Sequence, residues 1–500
     1  MKNIILNNKN KKEIQNYLRK VIEIGLEFKC QERFRTNILE KEKYNELLKF
    51  PNESKDIAEL LEYFKLSILP YCSNFSSINF MGFPDSGNSM SGMVGAILSD
   101  LLQQNLINSS FCSPIATFLE IAVIRWLREL VGYHNNDTIK DIFQVGGIIT
   151  NGGTGSNATA LLLARENHRI NTMNEGVKNP TEYKVIVPKG IGHYSIRSSL
   201  MWLGCGNNII EVPINEFKYN LKELKRAIRR NKGSIMAVII YVGDSRTMTI
   251  DNIEQICKIV KNEDENIWIH ADACHGFSLA FSSKLKHFIK GINNVDSIST
   301  DPHKVLMLPY TLSALLIKDA EKIKLISSNS DLIMQEPFAF GQITPFIGSK
   351  SWNSLKLWFL INNIGIKEIG EIIDRRYNMA LFLEKILNDS EDFIVINNVK
   401  INSVMFMYIR NKKNIEYNIE ELNYINKKIK EIIDKEGIYY LHQFSILDNI
   451  GKLKKNATIY PLRYMSGNDN IKRDDIIKMV RYVRNIAKRV IKFYLEEKRK

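Results

Sequence analysis

The stretch IWIHADACHG (267–276), read together with STDPHK (299–304), decides the architecture of this chain. The apolar residues Ile267, Trp268, Ile269 and Ala271 suggest a strand that ends at Asp272. In open α/β sheets, ligands bind outside the carboxyl ends of the strands. A carboxylate there, beside the small residues Ala271 and Ala273, can face a flat ring and pair with a protonated ring nitrogen. A strand-ending Asp equally caps the turn that follows, and on these ten residues both readings stand. In the second stretch Lys304 follows a Ser-Thr-Asp-Pro-His turn and precedes the apolar run VLMLPY. Where its surroundings keep the amine neutral, or a carbonyl traps it, such a lysine forms a Schiff base. Otherwise it is a surface lysine after a turn.

Two further stretches add to these. GGTGSNATALLLAR (152–165) puts glycines and hydroxyl residues ahead of a good helix former. The backbone amides of Gly155, Ser156 and Asn157, with the helix dipole, would cradle a phosphate, though an ordinary capped helix has the same look. It is not a P-loop, because GxxxxGK[ST] is absent. GIGHYSIRSSL (190–200) places His193 just after a strand pattern, where an imidazole can lie flat on a ring or serve the structure alone.

Around these motifs, from about residue 76 to 375, helical patterns alternate with short β-branched runs. The runs are YKVIVP, NIIEVP, SIMAVIIYV, NIWIHAD and SALLIKD, and the alternation argues for α/β with a mostly parallel sheet. Residues 1–75 read as helical, with Ile14, Leu18, Ile22 and Leu26 at helical spacing and a second pattern in AELLEYFKLSIL. They are too few to bury a core alone and are expected to pack on something else. Residues 376–500 carry two strand candidates, VMFMYIR and IYYLHQF, and end on the basic amphipathic helix IIKMVRYVRNIAKRVIKFYL, which suits a smaller α+β domain.

Composition narrows the function classes. The chain is 44% hydrophobic and 25% charged, as soluble globular proteins are. No apolar run is long enough for a bilayer or a secretory h-region, so no membrane is expected. The six cysteines, at 30, 72, 112, 205, 257 and 274, form no CxxC pair and no metal spacing, which reads as free thiols in a reducing cytoplasm. The net charge of +14 invites a nucleic-acid reading. Its lysines are spread along polar faces without interleaved aromatics, so no nucleic-acid partner is expected.

In order, the phosphate turn, the stacking His, the strand-end Asp and a Lys 32 positions later resemble the group II pyridoxal-phosphate (PLP) amino-acid decarboxylases. That family includes aromatic-L-amino-acid, glutamate, histidine and cysteine-sulfinate decarboxylases. The resemblance runs from FMGFPD (80–85) through SWNSLKLWFLINNIGIKEIG (351–370) to LRYMSG (462–467). It implies PLP fold type I, with a dimerising N-terminal helical segment, a large PLP-binding domain and a small C-terminal domain. It implies pyridoxal 5'-phosphate bound to Lys304 as a Schiff base, Asp272 on the ring nitrogen, and Ala273 and His193 on the two ring faces. Gly155, Ser156 and Ser299 would hold the phosphate, Ser245 would stand near the ring, and His303 beside the lysine. Phe83, Pro84 and Asp85 would line the substrate pocket, and the enzyme would be a homodimer. One departure is plain: the family's loop tyrosine, about 30 residues after the lysine and thought to protonate Cα, is missing, since no tyrosine occurs from 311 to 376.

The expectation is decarboxylation of an L-amino acid to its amine and CO2. INFMGFPDSGNS (78–89), QNLINSSFCSP (104–114) and EPFAFGQITPF (336–346) are expected to line the pocket; they lack Arg and Lys and offer Phe80, Met81, Phe83, Phe111, Phe338 and Phe340. An apolar substrate, aliphatic or aromatic, fits. The alternatives are oxygen-dependent decarboxylation–deamination to an aldehyde, a glutamate or diamino-acid substrate (the latter through Asp85), a carbon–carbon lyase, or a basic nucleic-acid-binding protein on a dead enzyme fold.

Overall fold

The computed structural model describes the chain apart from residues 1–4, 36–44, 46, 85–86, 329, 331–335, 414–416, 466 and 498–500. Two helices open it, α1 (Lys11–Lys29) and α2 (Ile57–Tyr63), and neither has a buried residue. They are followed by α3 (Met90–Leu102) and α4 (Pro114–Leu130).

The main sheet then builds in alternation with helices. Its elements in chain order are β1 (Gly147–Thr150), α5 (Gly153–His168), β2 (Lys184–Pro188), α6 (Tyr194–Trp202), β3 (Ile209–Val212), β4 (Ile235–Tyr241), α7 (Ile253–Glu263), β5 (Trp268–Asp272), β6 (Ser297–Thr300) and β7 (Ser313–Ile317). The strand order is β1-β7-β6-β5-β4-β2-β3. β3, β2, β4, β5 and β6 pair in parallel, and β7 runs antiparallel to both of its neighbours. This is the mostly parallel α/β sheet that the alternation of patterns predicts. All seven residues of β4 are buried, which is why its sequence is continuously apolar: helices cover both faces of a parallel sheet. α5 fits one face, with Ser156 through Glu166 buried.

Two strands escaped the sequence pattern. β6 is SIST, polar in composition, yet all four residues are buried. Its hydroxyls make this possible: Ser297 Oγ accepts from Trp268 Nε1 and donates to His270 Nδ1, both at 2.8 Å. β1 is only four residues long and follows a turn at Gly146.

Beyond the sheet, α8 (Ser354–Asp389) leads to a second, antiparallel sheet of β8 (Phe393–Val395), β9 (Ser403–Tyr408), β10 (His442–Gln443) and β11 (Leu462–Met465), in the order β8-β9-β11-β10. α9 (Ile419–Glu436) and α10 (Arg473–Glu497) pack on it. The apolar face of α10 (Ile476, Met479, Val480, Val483, Ile486, Ala487 and Val490) is buried in this second core, so its basic residues are the outer face of an ordinary amphipathic helix. Of IYYLHQF only His442 and Gln443 pair as strand. Among the described residues, no helix is long and apolar enough to cross a membrane.

Candidate active site

The parallel strands deliver their carboxyl ends to one edge of the sheet. In register, Tyr241, Asp272 and Ser299 lie side by side across β4, β5 and β6. Residues i and i+2 of a strand share a face, so His270 and Asp272 both project on the side that α5 covers. Asn157, in the first turns of α5, meets them there. Its Nδ2 donates to Asp272 Oδ2 (2.9 Å) and to Ser195 Oγ (2.9 Å), and its Oδ1 faces His270 Nε2 at 3.0 Å.

These contacts fix a direction. Trp268 Nε1–H donates to Ser297, Ser297 to His270 Nδ1, His270 Nε2–H to Asn157, and Asn157 to Asp272. Burial drives His270 down to about 4, so its ring is neutral and fits this one-proton role. Burial alone would raise Asp272, but the nearby His193, the Cys274 thiol, His270 and Asn157 outweigh it and hold the carboxyl below its ordinary value. Asp272 is therefore a buried, charged carboxylate.

Lys304 sits in a single helical turn, Pro302–Val305, straight after β6. Its Nζ is 2.7 Å from Asp301 Oδ2. Burial would lower its proton affinity, but the Asp301 carboxylate, with Cys274 and Asp272 nearby, raises it above the ordinary lysine value. His193 caps α6 and shares its Nδ1 with Ser195 Oγ at 2.8 Å. Burial lowers its proton affinity, with Asp272 opposing and Lys304 reinforcing the shift. His303 is buried, and its Nδ1–H donates to the Leu312 carbonyl at 2.7 Å. The Tyr310 ring lies 5.0 Å from it. Ala273 and Ser299 are fully buried, with Ser299 Oγ 3.7 Å from Cys274 Sγ.

The phosphate turn differs in detail from its sequence reading. The Gly155 and Ser156 amides turn back on the Gly152 carbonyl (3.0 and 3.3 Å), and Ser156 Oγ bonds Thr150 Oγ1 at 2.7 Å. Gly153 and Thr154 are then the leading amides of α5, the ones a helix leaves without an intrahelical acceptor. Gly152 needs to be glycine for its φ of 111°, and a Cβ on Gly153 would lie 2.7–2.8 Å from Cys274 Sγ and the Asp301 carboxylate. An amine, a charged carboxylate at a strand end and a helix-start turn thus face one another, which is the donor set a pyridoxal phosphate needs.

The substrate side also needs correction. Phe340 is fully buried in the main core, Phe338 packs on Phe118 at 5.1 Å, and Phe111 is 68% exposed. Phe80 stacks on Tyr440 at 4.8 Å, and Met81 is buried in the second core. Short aromatic-rich loops give no period from which to read a direction, so sequence could not separate core from pocket. Phe83 stays partly exposed, edge-on to His442 at 5.9 Å, and Pro84 is buried; Asp85 lies outside the described residues. Arg463, on β11, is the cation that the pocket segments did not contain. It is buried, donating to the Ser245 carbonyl (2.5 Å) and to the Gly82 carbonyl (3.3 Å). Asn157, His270, Asp301 and Arg463 are what sequence reasoning missed as side chains. Only His270 and Asp301 had a signal, lying two residues before Asp272 and three before Lys304.

Known proteins bear on this arrangement. The family model described as "Pyridoxal-dependent decarboxylase conserved domain" matches residues 40–409. The chain is similar to an aromatic-L-amino-acid decarboxylase of Bacillus atrophaeus (23% identical, 88% of this chain and 87% of the relative). It is also similar to a phenylacetaldehyde synthase of Petunia hybrida (24% identical, 78% and 79%). Its fold matches the crystal structure of Oryza sativa TDC with PLP and tryptamine, with a TM-score of 0.85 at 18% identity over 97% of this chain and 99% of that one. Mouse CSAD in apo form matches with a TM-score of 0.84 at 20% identity, over 95% and 99%.

Proposed function

The chain belongs to the pyridoxal-dependent decarboxylases, a PLP-dependent carboxy-lyase of fold type I, and on that premise we propose that it converts an L-amino acid with an uncharged side chain to its amine and CO2. The observation that carries the reading is the placement of Lys304, paired with Asp301, within electrostatic reach of the charged, donor-fed Asp272 at the strand ends. In this reading Lys304 would hold the cofactor covalently. Asp272 keeps a proton on the ring nitrogen, and the chain through Asn157 keeps Asp272 ionised and aimed. His193 and Ala273 bracket the ring, while Gly155, Ser156 and Ser299, with the leading amides of α5, hold the phosphate and Ser245 stands near the ring. When bound, PLP supplies the electron sink for the Cα–carboxylate bond that breaks.

An uncharged substrate is favoured by the state of Arg463. Its terminal nitrogens hold two backbone carbonyls and so tie the guanidinium to two loops, while its buried Nε has no protein partner. Phe83 and Pro84 then present an apolar wall. For the amine product the proton donor is assigned to His303, next to Lys304 in the chain and 5.0 Å ring to ring from Tyr310. The second reading is an aldehyde product, favoured by the absence of tyrosine from 311 to 376. Incubating the PLP-loaded enzyme with the twenty amino acids, dopa and diaminobutyrate, and measuring amine, aldehyde, CO2 and peroxide, tests both. Preferred turnover of glutamate or aspartate overturns the uncharged-substrate reading; peroxide with aldehyde overturns the amine.

The working unit we propose is a homodimer. Met90, Val94, Ile97 and Leu101 form a stripe along α3 and are 40–78% exposed, and α1 and α2 bury nothing within one chain. An exposed apolar stripe of this kind suits a second copy. The six cysteines are unpaired, which supports a cytoplasmic setting.

A further inference from the structure

Asp301 touches two parts of the site at once. One oxygen, Oδ2, is 2.7 Å from Lys304 Nζ, and the other, Oδ1, accepts the Ser313 hydroxyl at 2.5 Å. The carboxylate also lies against the first residue of α5: both oxygens are 2.8 Å from where a Cβ on Gly153 would stand. It is 1% exposed, so bulk water does not buffer its charge. The other ionisable groups around the pair are Cys274 and Asp272 at the end of β5, His193 at the start of α6, and His275 and His303.

A protonated lysine cannot attack a carbonyl, so cofactor loading requires that Lys304 lose a proton. We propose that Asp301 is the acceptor of that proton, and that an anion arriving at the start of α5 triggers the transfer. The proton moves from Nζ to Oδ2, converting an ion pair to a neutral amine and a carboxylic acid with no change in total protons. The amine then bonds the aldehyde carbon and water leaves. A negative charge favours a protonated carboxylate and a protonated amine alike, but the start of α5 lies nearer the Asp301 oxygens than Lys304 Nζ, so an anion there tips the pair toward its neutral form. Asp301 is in this sense a positioning residue that keeps Lys304 unreactive toward aldehydes lacking an anionic group. This inference rests on Lys304 as the attachment site.

The test uses cofactor-free enzyme and pyridoxal, which lacks the phosphate, with or without inorganic phosphate at matched ionic strength. Attachment is trapped with borohydride and located by peptide mass, a readout independent of turnover. In the wild type, phosphate should accelerate attachment at Lys304 about tenfold, the effect of one pKa unit. In Asp301→Asn the lysine loses its nearest counter-ion, so burial weighs more toward its neutral form. Attachment should then be fast without phosphate, with a ratio near one. Ser313→Ala, a milder change, removes a donor to Asp301, makes the carboxylate more basic, and should speed phosphate-free attachment. Equal phosphate ratios in wild type and Asp301→Asn, or an unchanged or slower rate in Ser313→Ala, overturn the proposal. Label on a lysine other than Lys304 overturns instead the assignment of the attachment site.

Discussion

Replacing Asn157 by leucine removes one side chain of nearly equal volume and breaks the donor chain at its last link. Two losses follow from the structure. Asp272 Oδ2 loses a donor at 2.9 Å, a bond to a charged group whose net contribution is about 1.5–3 kcal/mol. His270 Nε2–H, fully buried, loses its acceptor, at a cost of about 1–3 kcal/mol. Ser195 keeps its contact with His193 and adds little. The cofactor-free variant should therefore be destabilised by about 3–5 kcal/mol, measured as a shift in the urea unfolding midpoint. A double-mutant cycle with Asp272→Ala should show at least about 1 kcal/mol of coupling, because the two side chains touch. The pH dependence carries a sign. Asp272 is held below its ordinary value, so its stabilisation is present above the ordinary carboxylate range and disappears as pH falls through it. The deficit of Asn157→Leu should accordingly be largest near neutrality and narrow in acid. A variant within about 0.5 kcal/mol of the wild type, or a cycle without coupling, would refute the reasoning.

Lys304→Ala should lose both borohydride-stable cofactor attachment and turnover; retained covalent cofactor would move the attachment elsewhere. Asp272→Asn should still bind cofactor but lose turnover by about a hundredfold, or ~2.7 kcal/mol of barrier, and near-normal rates would reduce Asp272 to a turn cap. Deleting residues 1–75 should yield insoluble or monomeric, inactive protein, and an active monomer in sedimentation would sink the dimer. Asp251 is fully buried, and burial pushes its carboxyl up to about 7 despite the Tyr241 and Tyr219 amides that donate to it. Its contribution to stability is complete below the ordinary carboxylate range and is lost as pH rises through about 7. Asp251→Asn should be less stable overall yet lack that decline between about pH 5 and about pH 8, as unfolding curves at the two pH values would show; an unchanged slope would assign the titration to another group.

The α/β class, five of the seven main-sheet strands, and the relation of Asp272 to Lys304 were legible in the sequence. The first two are written in local terms, as continuous apolar runs where both faces of a strand are covered; the third came from an acid at a strand end and a lysine after a turn, at the spacing the family resemblance carries. The strand Ser297–Thr300 was not legible, because its hydroxyls are satisfied by Trp268 and His270 from the neighbouring strand, and only pairing reveals a buried polar segment. Nor was the division of the aromatics: Phe340 enters the core while Phe83 stays partly exposed, a choice made by loops that have no period. Asn157 reaches Asp272 across 115 positions, and Arg463 reaches Gly82 across 381. Local pattern fixes which elements form, since it reports what each segment can bury. Which side chains meet at their ends depends on how the strands are ordered, and the tertiary structure alone decided that.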